Sequence, residues 1–434
     1  MTKYRYTGTA SYLVSVQLAL FLAACGSDGD SNTPPPDNGG GGVVPSAPVG
    51  VVVVAGDTDG TEVQNTITWE LVADATSYTV YWSNAAGVTD ASSVVVPAAE
   101  GMRYLVHSDV DVLAGNTYYY RVQASSADGA SALSDEVVGT PQRAVTGSSL
   151  NDVAFNGTDT VVAVGDSGAI VASPNGTFDG WMDVSPGAVP ESLAGVTWES
   201  VNSQFLIVGA GSTVLTGDGV NWVQEDLNNL GGSQNLKDAA WLGDRYIAVG
   251  NAGAILTSNG DGSAWAVQDP GIAFGATAFN AVAWNGNDVI VVIGGNGTIL
   301  TSADAIDWQE LPQPTNNDLN DITWDGSQFV VVGSNDTILT SPDGVDWTSH
   351  VPGTSDINFV AVTQWDAGLP ANPVIAAVGS SGTLVVAPTA DPGAIVYTGT
   401  NEQLGGLAWV DDGVAAPYFV MVGNSGAVFT TQHP

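Results

Sequence analysis

The sequence predicts an all-β protein, and three observations support that fold class. Short apolar runs rich in Val, Ile, Thr and Trp alternate with Gly, Asp, Asn and Ser, which is typical of strands joined by turns. No helical period of apolar residues persists, and the 54 glycines among 434 residues would interrupt one. The third observation is a repeated unit, clearest at residues 319–347, LNDITWDGSQFVVVGSNDTILTSPDGVDW.

The repeated unit determines the expected architecture. The glycine that ends its second apolar run recurs at Gly165, Gly209, Gly250, Gly294, Gly333, Gly379 and Gly423. The first run recurs as well, for example as LNDVAF from residue 150, LKDAAW from 236 and LGGLAW from 404. Seven units of about 40–45 residues, each with several short strands, match the blades of a β-propeller. We therefore predict a seven-bladed β-propeller over residues 142–434.

The last unit supplies three strands and no fourth before Pro434. Propellers remove the open sheet edge by completing the last blade with a strand from the other end of the domain. The segment 143–146, which precedes the first unit, is the expected closing strand.

The turn that follows the third run of each unit resembles a known motif. Ser341-Pro-Asp-Gly-Val-Asp-Trp347 has relatives at residues 216–222 and 302–308. These turns resemble the Asp-box of sialidase and BNR-repeat propellers, shortened by one residue, and the whole unit is similar to the propeller of photosystem II assembly factors. Asp and Ser side chains accept backbone N–H groups within such a hairpin. We therefore interpret the boxes as structural.

The activities of those families are not expected here. A sialidase site needs three convergent arginines, because the planar guanidinium group binds a carboxylate through two hydrogen bonds. The propeller region offers only Arg143, Arg245 and Lys237 as basic residues. The basic patch of the photosystem assembly factors is absent for the same reason.

Charge excludes another class of partner. The chain has 7 Lys and Arg residues against 45 Asp and Glu residues, a net charge of −38. Such a surface repels nucleic acid. The single cysteine, Cys25, excludes an intrachain disulfide.

The N-terminus explains that cysteine. Lys3 and Arg5 precede an apolar stretch, residues 12–22, that is too short to span a bilayer. The following Leu-Ala-Ala-Cys-Gly, residues 22–26, resembles the lipobox of bacterial lipoproteins. The resemblance implies a signal peptide over residues 1–24, a lipid on Cys25 that anchors the chain in a membrane, and an extracytoplasmic location at the outer membrane, facing the periplasm or the cell surface.

Two segments lie between the lipobox and the propeller. Residues 25–47 are rich in Pro, Gly and Asp, and we expect a disordered linker. Residues 48–141 contain about seven short strands and no cysteine, which fits an immunoglobulin-like sandwich. The patterns ITW from residue 67, SYTVYW from 77 and LAGNTYYYRVQA from 113 resemble fibronectin type III, with Trp69 in the core and the Tyr118 hydroxyl holding a corner.

The expected function is binding. Irregular loops on a rigid scaffold usually carry recognition, so we expect an unidentified protein or glycan to dock on loops 223–234, 266–277 and 309–317, through Glu225, Asp226, Phe274 and Glu310. No catalytic residue and no cofactor is assigned. Calcium at Asp57-Thr-Asp-Gly60 or at Asp261-Gly262 is an open alternative, although Asp-Gly pairs usually form plain turns.

A glycan-active hydrolase or lyase that uses a carboxylate pair is the alternative function. Glu199, Glu225, Asp226 and Glu310 are the acids available to it in the predicted loops. A cluster of buried acids in the central funnel would favour this enzyme, whereas a funnel lined by Gly, Asn and Ser would favour a binding scaffold.

Overall fold

The computed structural model describes residues 43–432, apart from short gaps at 58–62, 90–91, 99–103, 109–111, 142–143, 145, 174–179, 188, 228–229, 231–233, 270–276, 351–356, 366–373, 389–394, 398–402, 412 and 414–416. Cys25, the predicted signal peptide and Phe274 lie outside these residues. Within them, no α-helix is present, and no helix is long and apolar enough to cross a membrane.

The N-terminal part of the chain forms two packed sheets. Its strands are β1 (Val52–Asp57), β2 (Val63–Thr68), β3 (Ser77–Ser83), β4 (Ser92–Pro97), β5 (Tyr104–Ser108), β6 (Tyr118–Ser126), β7 (Gly129–Leu133) and β8 (Val137–Gly139). One sheet has the order β1-β2-β5, and the other has the order β4-β3-β6-β7 with β8 beside β6.

Aromatic side chains fill the space between these two sheets. Trp69, Tyr78 and Tyr120 are buried, and the Tyr78 ring lies 5.2 Å from the Trp69 ring. The Tyr118 hydroxyl accepts a hydrogen bond from the Leu113 backbone N–H (2.9 Å), as expected for a tyrosine that holds this corner. The N-terminal part therefore has a hydrophobic core of its own.

The rest of the chain forms seven sheets, numbered here in chain order. Sheet 1 contains β9 (Leu150–Phe155), β10 (Val161–Gly165), β11 (Ile170–Ser173) and β12 (Met182–Asp183). Sheet 2 contains β13 (Leu193–Glu199), β14 (Gln204–Gly209), β15 (Val214–Gly217) and β16 (Trp222–Gln224). Sheet 3 contains β17 (Leu236–Trp241), β18 (Tyr246–Gly250), β19 (Ile255–Ser258) and β20 (Trp265–Val267).

Sheets 4 to 7 continue this pattern. Sheet 4 contains β21 (Phe279–Trp284), β22 (Ile290–Gly294), β23 (Ile299–Ser302) and β24 (Gln309–Glu310). Sheet 5 contains β25 (Leu319–Trp324), β26 (Phe329–Gly333), β27 (Ile338–Ser341) and β28 (Thr348–His350). Sheet 6 contains β29 (Phe359–Trp365), β30 (Val374–Gly379), β31 (Thr383–Pro388) and β32 (Ile395–Tyr397), and sheet 7 begins with β33 (Leu404–Val410), β34 (Tyr418–Gly423) and β35 (Val428–Gln432).

The seven sheets close into a ring. The first strand of each sheet lies beside the first strand of the next, and β33 of sheet 7 lies beside β9 of sheet 1. A separate apolar cluster fills each interface between neighbouring sheets, and the last one joins Leu150 and Val161 of sheet 1 to Val420 of sheet 7. Because both faces of each sheet are covered, second strands such as Phe329–Gly333 are buried along their whole length.

Sheet 7 is completed by the N-terminal part of the chain, not by residues 143–146 as expected. Strand β1 pairs antiparallel with β35, with Val53 opposite Gln432 and Gly56 opposite Phe429, while its other edge pairs with β2. The result is one continuous six-stranded sheet, β33-β34-β35-β1-β2-β5. The fourth strand of sheet 7 thus comes from the N-terminal domain, which the sequence places at residues 48–141.

The segment predicted to close the ring has another role. Thr146 lies four residues before Leu150, and its carbonyl oxygen packs against Gly426 in the turn between β34 and β35. Val189 and Thr315 occupy the same place before Leu193 and Leu319, and their carbonyl oxygens pack against Gly168 and Gly297. Thr146 therefore lies in the segment that leads into the first strand of sheet 1, and we call each such segment between sheets a link. This segment lies at one end of the ring, whereas a closing strand begins at the other end.

Candidate functional site

One end of the ring is built from turns that pack against links, and we call it the link face. Each turn between the second and third strands donates a backbone N–H to the residue just before its own first strand, as Asp166 does to Ser149 (2.9 Å) and Ser334 to Asp318 (2.9 Å). Several of these turns also bond to the link that enters the next sheet, as Ser212 does to Gln234 (2.6 Å). These backbone groups are therefore occupied within the protein.

The turns have little freedom to vary. Their central residue adopts a left-handed conformation, for example Asn296 (φ 55°) and Ser425 (φ 58°). The next glycine lies against the neighbouring link so tightly that a Cβ on Gly297 would overlap the Thr315 carbonyl. Gly297 itself is left-handed (φ 72°) and therefore meets both constraints, whereas Ser212 and Asp336 occupy the equivalent position in sheets 2 and 5. The short turns are thus structural, and the variable surface of this face comes from the links.

Amide side chains hold neighbouring first strands together near the link face. Asn151, Asn280 and Asn320 occupy the second position of their strands and donate to the carbonyl groups of Leu193, Leu319 and Phe359 in the next sheet, at 2.8, 2.7 and 2.6 Å. In sheet 3 the same position is Lys237, whose Nζ donates to Asn280 Oδ1 (2.7 Å). Burial lowers the pKa of Lys237, and the charge of Asp318 opposes that change.

Three carboxylates occupy the third position of the first strands in sheets 1, 3 and 5. Asp152, Asp238 and Asp321 each accept the backbone N–H of the following residue through one oxygen, at 2.7–2.8 Å. The other oxygen of each accepts a backbone N–H from the next sheet, from Val196 (2.8 Å), Val282 (2.9 Å) and Val362 (2.7 Å) respectively. Each carboxylate thus bridges two sheets.

The three carboxylates interact inside the ring. Each residue keeps some accessible surface, yet protein atoms surround the carboxylate, so its charge is poorly solvated. Burial raises the pKa of Asp152 to about 7 and that of Asp238 to about 6. Burial, followed by the charge of Asp238, also raises the pKa of Asp321 well above its usual value. Sheets 1, 3 and 5 are not adjacent, so these charges act across the interior of the ring.

The acid cluster meets only half of the expectation for an enzyme. Buried acids with raised pKa values do lie in the central funnel, as the alternative function requires. However, both oxygens of every carboxylate already accept backbone hydrogen bonds, and an asparagine precedes Asp152 and Asp321 in the chain. These hydrogen bonds fit a structural role, in which each carboxylate bridges two sheets, better than the role of a general acid with a partner base.

The predicted binding residues that the structure describes lie on the link face, but they do not come together there. Glu225 follows β16 and accepts a hydrogen bond from the Thr216 hydroxyl (3.1 Å), whereas the next residue, Asp226, is exposed. Glu310 is exposed and ends β24, in a different sheet. The predicted loops 223–234 and 309–317 thus begin inside fourth strands, and Leu227 and Leu311 anchor them in the core. Phe274 cannot be placed, because it lies in the gap at 270–276.

The opposite end of the ring, the hairpin face, carries the box turns. Asp343 Oδ1 accepts hydrogen bonds from the Ser341 hydroxyl (3.0 Å) and from the N–H groups of Val345 and Asp346 (both 2.9 Å). Asp304 and Asp218 bind their own turns in the same way. The tryptophans that follow pack between neighbouring sheets, as Trp347 does beside Phe329. These contacts agree with a structural role for the boxes.

Other acids that the sequence offered for catalysis or calcium binding accept hydrogen bonds within turns. Glu199 is only 2% exposed and accepts the N–H groups of Val201 and Asn202 at 2.6 and 2.8 Å, so it is not available for hydrolysis. Asp261 accepts the N–H and hydroxyl of Ser263 at 3.0 and 2.6 Å. Within the described residues, no group of three or more His, Cys, Asp or Glu side chains is arranged to hold a metal ion.

Sequence reasoning missed the three bridging carboxylates. Their signal was present in the repeat, since LNDVAF, LKDAAW and LNDITW share Asp at the third position, while the other sheets have Gly195, Ala281, Ala361 and Gly406 there. Close packing between neighbouring first strands explains the small residues at these positions. A Cβ on Gly406 would lie 2.6 Å from the Asp152 Cα, because sheets 7 and 1 approach closely.

Known structures show the fold of the ring. No family model matches the sequence, and no curated protein matches it. YCF48 from Cyanidioschyzon merolae is similar with a TM-score of 0.53 and 15% identity, over 67% of this chain and 97% of that chain. YCF48 bound to D1 peptide gives 0.52 and 15%, over 67% and 93%, and the WD40 β-propeller domain of Doa1 gives 0.51 and 11%, over 67% and 94%. At these identities the likeness shows the fold alone, and the chain contains a β-propeller.

Proposed function

We propose that this chain is an extracytoplasmic lipoprotein, anchored through Cys25, whose seven-bladed propeller binds a protein partner on its link face. The seven sheets of the ring are the seven blades. The N-terminal sandwich is a fibronectin type III-like domain, which the buried Trp69, the Tyr118 corner and the β1-β2-β5 sheet support. The box turns are shortened Asp-boxes of the BNR type.

The observation that carries the binding role is the contrast between turns and links on the link face. The turns have their backbone N–H groups bonded within the protein, as at Asp166, Ser212 and Asp336. In their described parts the links are irregular, and side chains such as Asp226, Glu310 and Gln313 are exposed. A rigid frame that presents irregular exposed segments is the usual arrangement for recognition.

A protein partner is favoured over a glycan. One similar structure is described as YCF48 bound to D1 peptide, so a propeller of this shape binds a polypeptide there. The exposed link residues Asp226 and Glu310 are acidic, and the chain as a whole has a net charge of −38. Electrostatic complementarity therefore favours a partner segment that carries Lys or Arg.

Charge reversal on the link face tests the binding role. The double variant Asp226→Lys with Glu310→Lys should lose the proteins that the wild-type chain retains from an extract, as identified by crosslinking and mass spectrometry. The matched control is Asp307→Lys with Asp346→Lys, which makes the same change of charge in exposed turns of the hairpin face. Equal loss in both variants would indicate nonspecific attraction, and retention by the link-face variant would exclude this surface. The chain should start at residue 26, because a fragment starting at 143 lacks β1.

The anchor is tested separately. The lipobox at residues 22–26 supports lipid attachment and, because no Asp follows Cys25, an outer-membrane location. Cys25→Ser should abolish palmitate incorporation and move the protein from the membrane fraction to the soluble fraction. Undiminished incorporation would refute the anchor without affecting the binding proposal.

The alternative is a carboxylate-based hydrolase or lyase acting on glycans. The raised pKa values of Asp152, Asp238 and Asp321 favour it, because a general acid must be protonated near neutral pH. If the protein cleaves any polysaccharide, Asp321→Asn should remove that activity while the fold persists. We favour the scaffold, since both oxygens of these carboxylates are engaged by backbone groups.

A further inference from the structure

The strand directions define where the N-terminal segment enters the ring. In every sheet the first strand begins at the link face, because the residue before it bonds to the turn between the second and third strands. The third strand therefore runs from the link face to the hairpin face. Strand β35 is the third strand of sheet 7, and β1 is antiparallel to it, with Val53 opposite Gln432 at the end of β35. Strand β1 thus starts at the hairpin face and ends at the link face.

The residues before β1 stay at that end of the molecule. The Val49 carbonyl accepts the N–H of Glu70 (3.1 Å), just after β2 ends. The Val43 carbonyl accepts the hydroxyl of Ser126 (3.1 Å), at the end of β6. Thr68 of β2 pairs with Val52, and Ser77 of β3 pairs with Ser125, so all of these contacts lie at the hairpin-face end of the sandwich.

Strand β1 joins this segment rigidly to the propeller. It is hydrogen-bonded along both edges, to β2 and to β35. Its side chains alternate between two cores, because Val53 packs in the sandwich with Ile67, whereas Val54 packs in the ring with Leu404 and Phe429. A tether attached to the N-terminal segment is therefore connected to the hairpin-face end of one continuous sheet.

The same end carries most of the exposed aliphatic surface. The described residues include thirteen exposed large hydrophobic side chains, and eight of them lie at this end: Val43, Val44, Val49, Leu71, Val201, Val220, Ile306 and Val345. Exposed acids such as Asp307 and Asp346 lie among them, so the orientation is carried by the path of the N-terminal segment and not by an apolar patch.

We infer that the hairpin face lies towards the membrane and the link face points away from it. This inference rests on the proposed lipid anchor at Cys25, since the tether then joins the molecule at Val43. It places the link-face binding surface on the aqueous side of the anchored protein. The anchor thus orients the binding surface as well as retaining it.

Energy transfer from two single labels to the membrane tests the orientation. A donor dye is placed on Val345→Cys at the hairpin face or on Gln313→Cys at the link face, both exposed positions. The protein carries Cys25→Ser and a polyhistidine tag in place of residues 1–24, and it is bound to phosphatidylcholine vesicles that contain a nickel-chelating lipid and an acceptor-labelled lipid. Transfer from position 345 should exceed transfer from position 313 at every acceptor density.

Equal or greater transfer from position 313 would overturn the inference. The nickel tether bypasses lipidation, so this outcome is distinct from failure of the anchor, which palmitate labelling measures, and from failure of link-face binding, which charge reversal measures. Ile306→Cys and Asn316→Cys form a second pair at exposed positions of the two faces if either first variant melts at a lower temperature.

Discussion

Gly56 and Phe429 face each other across the pairing of β1 with β35, so closely that a Cβ on Gly56 would overlap the phenyl ring. The same Cβ would lie 2.8 Å from the Val428 carbonyl oxygen. The N-terminal sandwich and the propeller therefore meet through a fitted strand pair, and the absence of a side chain at residue 56 is a condition for that fit.

Gly56→Ala should destabilise the protein by about 1–3 kcal/mol, because the added methyl group overpacks the junction. Chemical denaturation measures the effect. Gly147→Ala is the matched control, since a Cβ there meets no atom within 4 Å and the backbone is not left-handed. A Gly56 variant as stable as the control would show that β1 does not dock on β35 in solution.

Removal of the sandwich should open the propeller. A fragment of residues 142–434 lacks β1 and exposes the edge of β35, and exposed strand edges promote aggregation. We expect a lower melting temperature and association in size-exclusion chromatography. The separately produced fragment 43–141 should bind to it and restore the monomeric elution of the pair. If the isolated 142–434 fragment is monomeric and has the same melting temperature as the full chain, the proposal that β1 completes sheet 7 is refuted.

The three bridging carboxylates predict an unusual dependence of stability on pH. Their folded-state pKa values, about 7 for Asp152 and about 6 for Asp238, lie above the unfolded value of about 3.9. The folded state therefore binds more protons, and the contribution of these groups to stability is full below pH ~4 and is lost as pH rises towards 7.

Asp238→Asn should flatten the pH dependence of stability between pH 4 and pH 7, because it removes one of these titrations. Asp238 alone accounts for a loss on the order of 3 kcal/mol across this window in the wild type. Urea denaturation at several pH values provides the measurement, and the slope is compared, since the substitution also removes one hydrogen-bond acceptor. An unchanged slope in the variant would mean that Asp238 titrates normally in the folded protein.

Removal of the aspartate side chain from a box turn should lower the stability of the protein slightly. Asp343→Ala should destabilise the protein by about 1 kcal/mol, because the N–H groups of Val345 and Asp346 and the Ser341 hydroxyl lose their acceptor. Asp346→Ala in the same turn is the control, as that exposed residue contributes its backbone N–H to this network. Equal loss in both variants would assign the effect to surface charge. Binding of the partner should be unaffected, because the box lies on the hairpin face.

Local pattern was sufficient for much of the architecture. The run QFVVVG and the turn SPDGVDW each contain the information for a buried strand and for an Asp-anchored hairpin, and both form where the sequence places them. Repetition added the ring, since seven like units with two apolar faces can bury those faces only against each other. Leu227 and Leu311 show the limit of such reasoning, because a single apolar residue in an irregular link does not reveal that it anchors the link.

The sequence alone determined the all-β class, the repeated unit and the structural boxes, because each depends on residues near one another in the chain, whereas the place of Trp69 in a core came from the resemblance to fibronectin type III. Only the tertiary structure decided which strand closes sheet 7 and which acids meet inside the ring. Strand β1 and strand β35 lie at opposite ends of the chain, and any strand with an open edge could in principle have paired there. Asp152, Asp238 and Asp321 are likewise separated by whole repeats. Their charges interact only because the ring brings sheets 1, 3 and 5 around one interior, where burial leaves those charges poorly solvated.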